Sequence, residues 1–240
     1  MLEKTERALE LISQDDFFAR HDVRFVGGTA LSHIIEHRLS EDLDFAMLEL
    51  PKDEIVDMML KYGAVKKEHG DYIKDKVSND GFDIDDSHIM FDLNGVKVDF
   101  FVPPFNIKEK DVWNNIPYTH YKDTNVKLAA FDTIMYMKTM AFWDRKKYRD
   151  VFDVYFVLSN GTEGYTPQKF VALHQKYNVT HSIEYLVSKV KSKDMFHERM
   201  GDEGINTLVD EPQTYEWYRN KLEKMLDEVY MHELYHGMSP

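Results

Sequence analysis

The chain has no cysteine among its 240 residues. That excludes a disulfide scaffold, a thiolate nucleophile and a cysteine zinc site. It is also short of positive charge: 30 Lys and Arg stand against 43 Asp and Glu, a formal net charge of −13. A protein that grips nucleic acid indiscriminately needs a basic footprint, and the total lacks one. A local basic patch remains compatible with it. Long apolar runs are missing as well. The most apolar stretch, Leu128 to Trp143, is interrupted by Asp132 and Lys138 and does not read as a bilayer span. Met1-Leu2-Glu3-Lys4 does not open a basic and then apolar secretory leader. The expectation is a soluble, cytoplasmic protein with no membrane association. No internal repeat or low-complexity tract is visible.

What is present is core-forming material. Hydrophobic residues make up 43% and aromatics 13%, with 15 Phe and 14 Tyr, which excludes intrinsic disorder. The acidity is uneven. Residues 1–105 carry 12 Lys and Arg against 23 Asp and Glu, whereas residues 106–240 carry 18 against 20. The shift falls near Pro103-Pro104, a strand-breaking pair. The expected organisation is an α+β domain over 1–120 and a helical domain over 121–240 that contributes to the cleft.

The first part mixes helix and strand signals. Leu2 to Arg20 reads as one helix, Arg24-Phe25-Val26 as a strand, and Thr29 to His37 as a helix starting just after two glycines. Leu43 to Met47 reads as a strand and Lys52 to Tyr62 as a helix with Pro51 at its start. Strands are expected over 64–68, 72–77, 87–93 and 96–102. Helices are expected over 126–143, 147–159, 167–177, 181–191 and 212–235.

Asn94-Gly95 lies between two alternating apolar runs. Both residues accept the positive φ that a two-residue type I′ turn requires. The turn sets the register: Leu93 faces Val96, Phe91 faces Val98 and Ile89 faces Phe100 on the apolar side. Asp92 then faces Lys97, an expected opposite-charge pair, and Met90 faces Asp99 on the other side. The same period of two places Leu43, Phe45 and Met47 on a core face and sends Asp42 and Asp44 together to the opposite one. Two carboxylates ~7 Å apart along a strand repel unless a cation sits between them. Hard oxygen ligands suit Mg²⁺, and a third carboxylate from a neighbouring strand would allow two ions for an in-line displacement. Standing alone, Asp42 and Asp44 would be ordinary solvent-face residues, and Thr29 an N-cap. Their surroundings alter that reading. Phe25-Val26-Gly27-Gly28-Thr29 is a strand that ends in glycines and opens a helix, a form whose backbone N–H groups approach an anion closely.

Gly27-Gly28-Thr29, Arg38-Leu39-Ser40-Glu41-Asp42-Leu43-Asp44-Phe45 and Asp99 in Val96-Lys97-Val98-Asp99-Phe100 together resemble the polymerase-beta-type nucleotidyltransferase superfamily. The R-x-S-x-D-h-D-h form, with h apolar, is similar to the AbiEii toxin family of bacterial toxin–antitoxin and phage-defence systems. A second block matches the same family in the same order: Lys138 on a helix, then Arg145-Lys146-Lys147-Tyr148-Arg149-Asp150-Val151-Phe152-Asp153. The resemblance covers roughly Arg24 to Leu158. It implies a nucleotidyltransferase-like mixed sheet with flanking helices, followed by a C-terminal helical bundle. It implies that Gly27, Gly28 and Thr29 hold the triphosphate of an NTP, that Asp42 and Asp44 bind Mg²⁺, and that Asp99 completes the metal site or takes a proton. Lys138 would neutralise phosphate charge, and Arg38, Ser40 and Arg145 would brace or contact the nucleotide. Such roles suit nucleotidyl transfer, which needs alignment and charge neutralisation more than covalent chemistry. Asp150 and Asp153 read as supporting residues.

The expected activity is Mg²⁺-dependent transfer of a nucleotidyl group from an NTP to RNA or tRNA by a toxin-like protein, with a cognate antitoxin as a partner by analogy. Two alternatives stay open. One is a small-molecule, antibiotic-type nucleotidyltransferase, since the acidic first part would suit a cationic acceptor. The other is a nucleotide-binding module without catalysis. His232-Glu233-Leu234-Tyr235-His236 matches the H-E-x-x-H zinc-protease pattern. It ends four residues from the C-terminus, with no room for the usual downstream ligand, and is read as a helix end.

Overall fold

The computed structural model describes residues 1–70, 83–103, 115–144, 147–177, 180–191 and 205–236. The chain divides into two compact units, Met1–Ile134 and Met135–Pro240. Among the described residues no helix is long and apolar enough to cross a membrane.

The first unit opens with α1 (Glu3–Ile12) and α2 (Asp16–Arg20), two helices where the sequence reads as one. The break has a local cause. Asp15 takes an extended backbone and its carboxylate accepts the Phe17 N–H at 2.8 Å, which starts a new helix. Lys61 Nζ at 2.8 Å and Tyr62 Oη at 3.1 Å donate to the same carboxylate. Burial would raise the Asp15 pKa, but these donors outweigh it and hold the group below the usual aspartate value.

Next come β1 (Arg24–Val26), α3 (Gly27–Ile35), β2 (Leu43–Ala46), α4 (Lys52–Lys61), β3 (Val65–Lys67), β4 (His88–Leu93), β5 (Val96–Phe101), β6 (Tyr118–His120) and β7 (Lys127–Ala129). They form a seven-stranded sheet in the order β3-β4-β5-β2-β1-β7-β6. β2 runs parallel to β5 and β1 parallel to β7, while the other neighbouring pairs are antiparallel, so the sheet is mixed. The strand expected over 72–77 and the Pro104 half of the Pro103-Pro104 pair lie outside the described residues.

The β4–β5 hairpin has the expected register throughout, with Asn94 at φ 54° and Gly95 at φ 77° in the turn. One expected contact is corrected. Lys97 lies opposite Asp92, yet its ammonium pairs with Asp99 on its own strand. Asp92 instead accepts the Gly95 N–H at 2.9 Å and lies 3.7 Å from Lys67 Nζ. Asp side chains commonly accept a backbone N–H of their own turn, and here that leaves Lys97 to another partner.

One face of the sheet is aromatic. Phe25, Phe45, Phe91 and Phe100 are fully buried there. Phe45 stacks on Phe100 at 5.1 Å, and α2 covers the pair through Phe18, 5.1 Å from Phe45, and Phe17, 6.0 Å from Phe100. Each such ring pair adds ~1 kcal/mol beyond the burial of its area. This face locks the strand register, and so determines what the opposite face presents.

A helix expected over 126–143 is corrected at its start. Lys127–Ala129 is β7, and the helix α5 runs Phe131–Asp144. Residues 127–129 pair with β1 and β6, an outcome of tertiary position that three residues of local pattern cannot signal.

In the second unit, α5 is followed by α6 (Tyr148–Asn160), α7 (Pro167–Tyr177), α8 (Ile183–Lys191) and α9 (Tyr215–His236). Gly161 ends α6 in the left-handed region, with its N–H on the Val157 carbonyl. Tyr148, Phe152, Tyr218, Leu222 and Leu226 are buried where α9 crosses α6, and Phe142, Trp143 and Phe170 make a second aromatic cluster between α5 and α7. An α+β unit with a mixed sheet, followed by a helical bundle, is the architecture expected from the sequence.

Candidate active site

The sheet face opposite the aromatic layer collects the acidic residues. β2 and β5 run parallel with Asp44 directly beside Asp99. Register partners on adjacent strands project to the same side, with backbones ~4.8 Å apart. Asp42 lies just ahead of β2, and like Asp44 it acts on the Lys97 ammonium.

Asp99 is 5% exposed, and its two oxygens are treated differently. Oδ2 lies 3.4 Å from His88 Nε2 and takes the Lys97 ammonium. Oδ1 is buried without a hydrogen-bond partner. Burial pushes the Asp99 pKa up, but His88 and Lys97 prevail and hold it below the usual aspartate value, so the group is ionised at neutral pH. Lys97 is affected in the opposite sense. Burial would lower its pKa, while Asp99 first, then Asp44 and Asp42, raise it. All three carboxylates therefore act on one ammonium.

Gly27 and Gly28 close the site from the side of β1. Val26, the last residue of β1, is the register partner of Asp44, and α3 begins at the next residue. Gly27 has φ +77° and sits so close to Asp44 that a Cβ there would lie 2.6 Å from Asp44 Cγ and 2.8 Å from its Cβ. Only glycine meets both conditions. At Gly28 a Cβ would lie 2.5 Å from Arg38 Nη2 and 3.4 Å from Ser40 Oγ. The glycine pair thus lets the first turn of α3 approach both the acidic residues and the Arg38 guanidinium. The first N–H groups of a helix have no intrahelical partner and favour an anion.

Thr29, Arg38 and Ser40 form the frame behind this turn. Thr29 is fully buried; its hydroxyl donates to the Asp42 carbonyl and lies 2.8 Å from Ser40 Oγ. A hydroxyl carries one proton, so Ser40 donates in the second bond. Arg38, also buried, donates to the Leu39 carbonyl at 2.9 Å. The segment 38–40 therefore ties α3 to the start of β2 and holds Asp42 in place.

Lys138 lies on α5 in the second unit. Its ammonium is buried, 3.0 Å from Asp150 Oδ1 and 2.7 Å from Asp153 Oδ2. The two carboxylates are three residues apart on α6 and so share one helix face. Arg145, the remaining expected nucleotide contact, lies outside the described residues, as does Lys146. In the rejected H-E-x-x-H segment, His232, Glu233, Leu234 and Tyr235 are exposed at the end of α9. Among the described residues no three His, Asp or Glu side chains are drawn into a ready-made metal cage.

Of the acidic face, His88 was not singled out in the sequence, and Lys97 was read only as the partner of Asp92. Their signal was present. Lys97 is two residues before Asp99 on the same strand, and the Asn94-Gly95 register carries His88 to the pair diagonal to Asp99.

The family model for the nucleotidyl transferase AbiEii toxin of type IV toxin–antitoxin systems matches residues 10–230. The chain belongs to the AbiEii family. It is a nucleotidyltransferase of that toxin family. Among solved structures, a candidate nucleotidyltransferase from H. pylori is similar over 97% of both chains, with 15% identity and a TM-score of 0.56. That likeness supports the fold alone. MenT4, a nucleotidyltransferase toxin from Mycobacterium tuberculosis, aligns over 94% of this chain and 84% of its own, with 14% identity and a TM-score of 0.49. The Megavirus polyadenylate synthase aligns over 80% of this chain and 37% of its own, with 13% identity and a TM-score of 0.40. No curated protein matches the chain in sequence. The family model spans both units, so this AbiEii chain carries the family pattern past Leu158, where the sequence motifs stop.

Proposed function

We propose that the chain transfers a nucleotidyl group from an NTP to an RNA acceptor such as tRNA, with Mg²⁺ at Asp42, Asp44 and Asp99. The observation that carries this reading is the placement of Asp44 in register with Asp99, with Gly27 pressed against Asp44. The donor set fits a hard cation: Asp44 and Asp99 side by side on one sheet face, Asp42 just ahead of the same strand, and an Asp99 Oδ1 that is buried and unpartnered. Bound Mg²⁺ would supply positive charge to the phosphates and the attacking oxygen.

The chain's own residues do the rest. The α3 N-terminus at Gly27 and Gly28 receives triphosphate oxygens, and Arg38 lies beside Gly28 to meet the same charge. Thr29 and Ser40 act by bracing Asp42. Asp99, ionised, accepts the proton of the acceptor hydroxyl as its oxygen bonds to the α-phosphorus and the bond to pyrophosphate breaks. Lys138, expected from the sequence to neutralise phosphate, commits two of its three N–H groups to Asp150 and Asp153. A cognate antitoxin is part of this reading, because the family model is that of a toxin–antitoxin system.

The test is incubation of the full chain with each α-labelled NTP, Mg²⁺ and either total RNA or a panel of cationic small molecules. RNA labelling that EDTA abolishes, and that falls at least ~10³-fold in Asp44→Asn and in Asp99→Asn, is the expected result. Label confined to a small molecule would overturn the RNA acceptor. NTP binding without turnover, unchanged in both variants, would overturn the catalytic site.

A further inference from the structure

We propose that Lys97 is a built-in counter-cation of the acidic face: its ammonium holds Asp99, Asp44 and Asp42 together before a divalent ion arrives, and yields when the ion binds. The proposal rests on the metal assignment above and adds a residue that this assignment does not contain.

Three observations point to Lys97. Its ammonium ion-pairs with Asp99 and feels the fields of Asp44 and Asp42 as well. It does so in preference to Asp92, its direct cross-strand partner, which is left to the Asn94-Gly95 turn and to Lys67. Asp99 keeps one oxygen, Oδ1, buried without a partner, so Lys97 and His88 satisfy only half of the carboxylate.

The energetics favour a temporary role. Three carboxylates on one face repel, and one of them is nearly out of water, where an uncompensated charge is costly. A cation is needed whether or not a metal is present. The Lys97 side chain is 49% exposed, whereas that of Asp99 is 8% exposed. The ammonium therefore approaches from solvent on a flexible stem and can withdraw to solvent. A half-exposed ion pair is a weak competitor. It steadies the ion-free site without blocking a divalent cation, which carries twice the charge and accepts several oxygens at once. Another lysine of this face, Lys67, is committed to Asp92, 3.7 Å away.

The experiment compares the full-length wild type with Lys97→Met, Lys97→Arg, Asp99→Asn and the Lys97→Met/Asp99→Asn pair. Melting temperature is read in EDTA and at saturating Mg²⁺, and Mn²⁺ affinity by electron paramagnetic resonance. Lys97→Met should melt several degrees lower in EDTA and regain most of the difference with Mg²⁺. It should also bind Mn²⁺ about three- to tenfold more tightly, having lost its competitor. Lys97→Arg should keep the wild-type melting temperature in EDTA. In Asp99→Asn, the further change Lys97→Met should lower the EDTA melting temperature much less than it does in the wild type.

A Lys97→Met protein with wild-type melting in EDTA and unchanged Mn²⁺ affinity overturns the proposal. So does an equal loss with and without Mg²⁺, which marks plain structural damage. Failure of the wild type to bind Mn²⁺ or to gain stability from Mg²⁺ defeats the metal assignment itself. The EDTA measurements on the Lys97 and Asp99 variants still read the counter-cation separately.

Discussion

A methyl group on Gly27 would displace Asp44, and on Gly28 it would displace the far end of Arg38. The two positions look alike in sequence and differ in consequence. Gly27 carries a positive φ and faces a carboxylate on a short stem; Gly28 faces the tip of a long side chain. Gly27→Ala should therefore cost about 1–3 kcal/mol of stability and at least ~10²-fold in nucleotidyl transfer, because Asp44 can no longer hold its position. Gly28→Ala should stay near wild-type stability and weaken NTP binding through Arg38. Thermal melts together with a KM-against-kcat comparison separate the two, and equal behaviour of the variants would remove the distinction. The glycine pair and the D-x-D strand were legible from residue types alone. The division of labour between the glycines was not, since it depends on which side chains approach them in space.

At the scale of elements, α5 and α6 are joined by a buried charge cluster. Lys138 on one helix meets Asp150 and Asp153 on the other. Removing the lysine leaves two buried carboxylates without that cation. Lys138→Met should cost ~3–5 kcal/mol, seen as a lower denaturant midpoint, and adding Asp150→Asn and Asp153→Asn should restore part of it. A loss below ~1 kcal/mol would show that the cluster does not brace the helices. Sequence spacing placed Asp150 and Asp153 on one face of α6. That the facing lysine comes from α5 is a packing outcome. Elements with a strong local signal were read well: the Asn94-Gly95 hairpin, the α4 helix after Pro51 and the helices over 148–160 and 167–177. Those whose state depends on a distant partner were misread. β7 is a strand because β1 and β6 flank it, and α1 ends early because Asp15 finds Phe17, Lys61 and Tyr62.

For the whole molecule, acid should begin to act on the helical unit as pH falls below about 6.5. His174 is buried against Trp143 and lies 2.9 Å from His181, ring nitrogen to ring nitrogen. One nitrogen must donate and the other accept, so both rings cannot be cationic without losing that bond. Burial first, then the charges of His181 and Lys189, hold the His174 pKa down to about 4. The sign follows from linkage. Below about pH 6.5 the unfolded chain takes up a proton that the folded chain refuses until about pH 4, so stability falls as pH drops through that interval. Urea midpoints at pH 7 and pH 5 should differ by up to about 2 kcal/mol from this group, and His174→Asn should flatten that part of the slope. An unchanged slope in the variant would place the sensitivity elsewhere.

From residue order alone came the acidic balance, the absence of thiol chemistry, the strand periods that put Asp42, Asp44 and Asp99 on one side, and the glycine turn ahead of them. These follow from local rules: a strand alternates, Asn-Gly turns, and glycine tolerates positive φ. Tertiary structure decided the rest. It set Asp44 beside Asp99, turned Lys97 away from its cross-strand neighbour to pair with Asp99, and placed His88 against Asp99. The reason is physical. Backbone periodicity determines which side of a strand a residue takes, whereas the partner of a charge is chosen by competition among all groups the fold brings within reach.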